Sequence, residues 1–142
     1  PYLERALGHI PFLVMYLVSG LGGSVGILAW ARITGQWMTA SYGASGALFG
    51  LFSAALVAYH AMGEHIRSVV VGIAINLAIA FVVSNVAWQA HVGGLVAGAV
   101  LAWLMVSGVR SLRGRGVGTR MAVYGGALSL VLVAAGVFLI VA

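Results

Sequence analysis

Ser45 and His91 are the two residues of this sequence whose types could do chemistry together. A serine hydroxyl is a weak nucleophile at its own pKa, and an imidazole within hydrogen-bond reach can take its proton. Such a pair is the minimum for acyl transfer, and it needs in addition a donor for the developing oxyanion. Ser45 stands in Gly43-Ala44-Ser45-Gly46 and His91 in Ala90-His91-Val92-Gly93-Gly94. Each also has a plainer reading. A serine in a small-residue helix often bonds its own backbone, and a histidine inside a helix can bond a neighbouring helix for packing alone. What decides between these readings is where the carrying helices place the two residues.

The composition says what surrounds those helices. Of 142 residues, 63% are hydrophobic and 6% charged, against about 25% charged in a soluble domain. Mean hydropathy is +1.13. So few charges could not cover a water-facing surface, and the chain reads as an integral membrane protein. Cysteine is absent, which excludes disulfides and thiol chemistry. The net charge of +5 comes from arginines set against Glu4 and Glu64. In a membrane protein such an excess orients helices, so it is not read as a nucleic-acid patch.

A spanning helix needs roughly 20 apolar residues. Stretches near 10–30, 40–59 and 121–142 qualify. Between Arg67 and Arg110 no charged residue occurs; as one helix that stretch would be about 60 Å long, twice the hydrocarbon core. The polar break at Ser84-Asn85 divides it into spans near 67–83 and 88–107. The expected architecture is all-α, a polytopic bundle of five spans forming a single membrane domain over 1–142. With five spans, Arg5, Arg67, Arg110, Arg113, Arg115 and Arg120 share one side and Arg32 lies on the other. The arginine-rich side is then cytoplasmic, and Trp30, Trp37 and Trp88 mark the outer boundary. Nothing alternates as a barrel strand would. A start at Pro1 without Met, in mid-motif, reads as part of a longer protein, with no signal peptide visible.

In this topology the second and fourth spans run in the same direction. Ser45 and His91 each lie about one turn from the outer end, so they share a depth. Three GxxxG spacings, Gly22 to Gly26, Gly46 to Gly50 and Gly94 to Gly98, allow helix backbones to approach closely. A Ser45–His91 hydrogen bond is then expected, with the backbone N–H of Ser45, near a helix N-terminus, as one oxyanion donor. The remaining polar residues take structural readings: Asn76 as an interhelical hydrogen bond, Ser24 and Ser53 as packing, Glu64 as a solvated loop charge. His9, His60 and His65 lack the partners of a metal site, and no cofactor is implied. The arginines at 110–120 read as a topology signal, with anionic-lipid contact a minor alternative.

These residues resemble the rhomboid family of intramembrane serine proteases. Gly43-Ala44-Ser45-Gly46-Ala47-Leu48-Phe49-Gly50 is similar to that family's GxSG nucleophile motif and the helix after it. Ala90-His91-Val92-Gly93-Gly94-Leu95-Val96-Ala97-Gly98 is similar to its AHxxGxxxG motif. The opening Leu3-Glu4-Arg5-Ala6-Leu7-Gly8, running into Phe12–Gly20, looks like the junction of its second and third helices. The resemblance implies that the five spans are family helices three to seven. It implies Ser45 as nucleophile, His91 as general base, Gly43 and the Ser45 N–H as oxyanion support, and Phe49 as the ring beside the histidine, where the family often has tyrosine. The substrates implied are transmembrane proteins in the bilayer, and the membrane implied is a bacterial plasma membrane. The His and Asn that the family's second helix lends to the oxyanion have no counterpart here. The rival readings are a non-catalytic pseudoprotease or scaffold that binds transmembrane helices and, weaker, a transporter subunit, which would want a charged or broken helix near the midplane. Pseudoproteases of this kind tend to lose the serine or the histidine, and both are present.

Overall fold

The computed structural model describes residues 2–37, 44–83 and 86–141, without the side chain of Tyr2. Within them the chain is all-helical: α1 Tyr2–Leu7, α2 His9–Thr34, α3 Ser45–Ala61, α4 Arg67–Val82, α5 Trp88–Ser107, a 3-10 turn Arg110–Leu112, and α6 Val117–Val141.

Glycines and backbone chemistry set several boundaries that hydropathy does not. Gly8 and Gly35 take positive φ, 87° and 74°, a region that costs other residues energy. Gly8 separates α1 from α2, and Pro11 falls in the first turn of α2, where its missing N–H has no helical partner. Gly35 ends α2 in a left-handed cap, its N–H donating to Ala31 O at 2.8 Å. α2 therefore overruns the expected 10–30 at both ends. The short α1 and the 3-10 turn were not expected as elements. At the foot of α5, Arg113 Nη2 donates to Ser107 O at 2.8 Å, and Val109 N–H donates to Tyr124 Oη at 2.7 Å. The first serves a carbonyl that the helix end leaves unpaired, and the second ties the connection after α5 to α6.

α2, α5 and α6 are long and apolar enough to cross a membrane. α3 and α4, of 17 and 16 residues, are apolar but shorter. The expected second span begins at Ala40, and residues 38–43 lie outside the described residues, as do Ser84 and Asn85 of the expected turn. Leu13, Leu17, Leu130 and Phe138 are among many large apolar side chains that face outward, as a lipid-facing bundle requires and a water-facing one would not tolerate.

α5 is the central helix, packed along α3 and along α2, with α6 against α2 and, at one end, against α5. α4 is peripheral and buries only Ala80. At one end of the bundle Met15, Val18, Ala54, Leu101, Ala102, Met105, Met121 and Tyr124 close into an apolar core. Among the described residues, the other end, where α3 and α5 begin, is open.

Candidate active site

Ser45 is the first residue of α3, and its N–H is among those a helix start leaves without an intrahelical partner. His91 lies in the first turn of α5. The two helices run parallel, because Gly46 lies against Ala90 and Gly94, and Gly50 lies against Gly94 and Gly98. These are backbone contacts. A methyl on Gly94 would collide with the Gly46 carbonyl, and one on Gly98 with the Gly50 carbonyl. A methyl on Gly46 would stand 2.9 Å from Ala90 O. On the other flank of α5, Gly22 and Gly26 of the antiparallel α2 press against Gly93 in the same way. Without a hydrophobic force between helices in lipid, such close packing is what associates them.

This approach brings Ser45 Oγ to 2.8 Å from His91 Nε2. With the ring proton on Nδ1, the serine hydroxyl donates to Nε2, the arrangement a general base needs. His91 is 5% exposed, whereas Ser45 is exposed. The imidazole is therefore held inside the bundle and the serine hydroxyl is presented outward. One turn below Ser45, the ring of Phe49 stacks on His91, with 4.2 Å between centroids and 14° between planes. Ring and hydrogen bond together fix the imidazole in position and orientation.

No carboxylate stands behind the histidine. Its Nδ1 is buried without a hydrogen-bond partner among the described residues, and the two acidic residues, Glu4 and Glu64, lie in α1 and in the α3–α4 connection. Ser45 opens into a cavity of about 710 Å³ between α2, α3 and the start of α5, whose wall includes Tyr16, Gly20, Ser24, Ala44 and Ala90. Trp30 and Trp88 meet edge to face at 4.9 Å near the same end of the bundle, and Phe81 of α4 lies 4.8 Å from Trp88.

Of the residues singled out in the sequence, the structure thus brings together Ser45, His91, Phe49, Gly46, Gly50, Gly94 and Gly98. Gly43 lies outside the described residues. Asn76, read as an interhelical hydrogen bond, donates instead to Gly72 O of its own helix at 2.8 Å from an exposed position on the peripheral α4. Ser24 bonds its own helix, to Gly20 O at 3.2 Å. Ser53, read as packing, reaches across to α5 and donates to Leu95 O at 2.7 Å. Its place on the 45, 49, 53 face of α3 was the available signal. Tyr124 was also missed; aromatic residues near helix ends are common enough to carry no signal alone.

Residues 1–108 match the family described as Rhomboid domain. Over 111 residues, 75% of this chain, the sequence is 35% identical to "Putative rhomboid protease YdcA" of Bacillus subtilis (strain 168), covering 54% of that protein. It is 37% identical to Rhomboid protease GluP of the same organism, over 68% of this chain and 19% of that protein. It is 33% identical to RHOMBOID-like protein 5 of Arabidopsis thaliana, over 73% of this chain and 35% of that protein. The chain thus spans about half the length of the first of these relatives and less of the others. No solved structure gives a significant match.

Proposed function

The chain belongs to the rhomboid family, and from that premise we propose that it carries the catalytic pair of an intramembrane serine protease acting on transmembrane proteins. The observation that carries this reading is the 2.8 Å contact between Ser45 Oγ and His91 Nε2 at the open end of the bundle.

In the proposed reaction Ser45 Oγ attacks the scissile carbonyl carbon while its proton passes to His91 Nε2. The tetrahedral oxyanion takes a hydrogen bond from the N–H of Ser45 at the start of α3, and Gly43, as the family resemblance implies, is part of the same oxyanion support. His91 then gives the proton to the departing amine nitrogen, and the C–N bond breaks. Water attacks the ester carbonyl, its proton passes to Nε2, the bond from carbon to Ser45 Oγ breaks, and that proton returns to the serine oxygen. No third carboxylate takes part, and Phe49 does the orienting. Further oxyanion donors would come from the whole protein. No cofactor is called for.

The membrane placement belongs to the same proposal. Residues 1–142 form one rhomboid-like domain that crosses the bilayer five times, with α3 and α4 as short spans. The loops holding Arg67, Arg110, Arg113 and Arg115 face the cytoplasm, and Ser45 opens to the outer side. The membrane is the plasma membrane of a bacterium. Water then reaches the site from the face nearest the serine.

The test is cleavage of a model transmembrane substrate by the full-length protein in vesicles. The reading expects cleavage within or near the substrate's membrane segment, lost in Ser45→Ala. Cleavage that survives Ser45→Ala overturns it.

A further inference from the structure

We propose that Ser53 is a positioning residue for this chemistry, holding α3 and α5 in register while the Ser45–His91 contact is broken. The proposal rests on the reading of Ser45 as nucleophile and His91 as base.

Ser45, Phe49 and Ser53 are spaced four apart and share one face of α3; His91 and Leu95 do the same on α5. Down the seam between the parallel helices come the Ser45–His91 hydrogen bond, the Phe49–His91 stack, and the bond from Ser53 Oγ to Leu95 O. The last bond follows from helix geometry. Side chains lean toward a helix N-terminus and carbonyls point toward the C-terminus. A serine lower on α3 therefore meets a carbonyl higher on its parallel neighbour.

A serine that only filled space would place its proton on its own helix. Ser19 donates to Met15 O at 2.7 Å, Ser24 to Gly20 O, and Ser107 to Trp103 O at 2.6 Å. Ser53 has such an acceptor in Gly50 O at 2.9 Å, yet it also approaches Leu95 O, and more closely. Among the described residues, Ser45 and Ser53 are the serines whose hydroxyls hydrogen-bond another helix; Ser19 packs against Gly50 of α3 but donates to its own helix. Ser53 is 4% exposed, so water does not compete for its proton.

The two crossing bonds differ in what happens during turnover. In the acyl-enzyme, Ser45 Oγ is an ester oxygen with no proton to give, and its bond to Nε2 is gone. His91 must still stand where it can take a proton from the attacking water. Of the two crossing bonds, the one from Ser53 survives into that intermediate. Its loss should act on deacylation more than on substrate binding.

The experiment compares wild type, Ser53→Ala and Ser53→Thr in the full-length protein. Active sites are titrated with a fluorophosphonate, and kcat, KM, the acyl burst and Tm are measured on a model transmembrane substrate. Ser53→Ala is expected to lower kcat per titrated site by about three- to tenfold, as loss of one interhelical hydrogen bond and its alignment would. KM should fall along with kcat, leaving kcat/KM near the wild-type value, and the burst should grow relative to the steady rate. Ser53→Thr, which keeps the hydroxyl, should recover most of the rate. An unchanged kcat per site in Ser53→Ala, or equal losses in both variants, overturns the proposal. A wild type that neither cleaves nor labels overturns the underlying reading instead, and the proposal with it.

Discussion

The ring of Phe49 lies flat against that of His91, 4.2 Å between centroids and 14° from parallel, one helical turn below Ser45. Replacing it by leucine keeps an apolar side chain in a buried position and removes the flat face. Phe49→Leu should lower the second-order rate of fluorophosphonate labelling at Ser45 by roughly tenfold, since a small misplacement of the base is costly. Its Tm should change far less than that of Phe49→Ala, which would lose about 3–5 kcal/mol by opening a cavity. A labelling rate equal to wild type in Phe49→Leu would remove the ring from the account.

Gly94 has no room for a side chain, because the Gly46 carbonyl occupies the place its Cβ would take. Backbone cannot give way as a flexible side chain can. Gly94→Ala should therefore destabilise the protein by about 1–3 kcal/mol and separate Ser45 from His91, lowering both Tm and labelling. Gly118, in the first turn of α6 with nothing near its would-be Cβ, is the matched control. Gly118→Ala should be neutral or slightly stabilising, since glycine in a helix is worse than alanine by roughly 0.5–1 kcal/mol.

Tyr124 Oη accepts the Val109 N–H at 2.7 Å at the end of the bundle away from the site. Tyr124→Phe removes that acceptor and should cost about 0.5–1.5 kcal/mol, read as a lower Tm. The labelling rate per folded molecule should match wild type. A rate loss would mean that the α5–α6 connection communicates with the site.

These 142 residues contain no cysteine, so single cysteines introduced into them, with any cysteine elsewhere in the full-length protein replaced by serine, test the topology. Five crossings place Glu64→Cys and Gly114→Cys on one side of the membrane and Gln36→Cys on the other. Impermeant maleimide added outside intact cells should label Gln36→Cys alone. Labelling of Gly114→Cys from the same side would contradict the five-span arrangement.

The helices and the site were legible in the sequence to different degrees. α5 runs over the 88–107 expected from hydropathy, and α4 over nearly all of 67–83, because charged or polar residues flank both. The ends of α2 were not legible from hydropathy, since Gly8 and Gly35 end it by backbone conformation among polar residues beyond the apolar run. Ser45 and His91 stood out because polar groups are costly among apolar helices, and the GxxxG spacings pointed to close backbone approach before any contact was known. Ser53 was read as packing: its four-residue spacing from Ser45 and Phe49 puts it on the same face of α3, but whether its hydroxyl bonds its own helix or the neighbour depends on the register between helices. The same limit misplaced Asn76, whose amide found its own helix because α4 is peripheral.

The central claim is that Ser45 is a nucleophile activated by His91. The most direct measurement is fluorophosphonate labelling of the full-length protein in membranes, with the modified residue located by peptide mass spectrometry. The account predicts one adduct, on Ser45 Oγ, abolished in Ser45→Ala and reduced at least a thousandfold in His91→Ala, on the order of the loss seen when a general base is removed from a serine nucleophile. A folded protein that labels elsewhere, or labels at Ser45 equally well without His91, contradicts it.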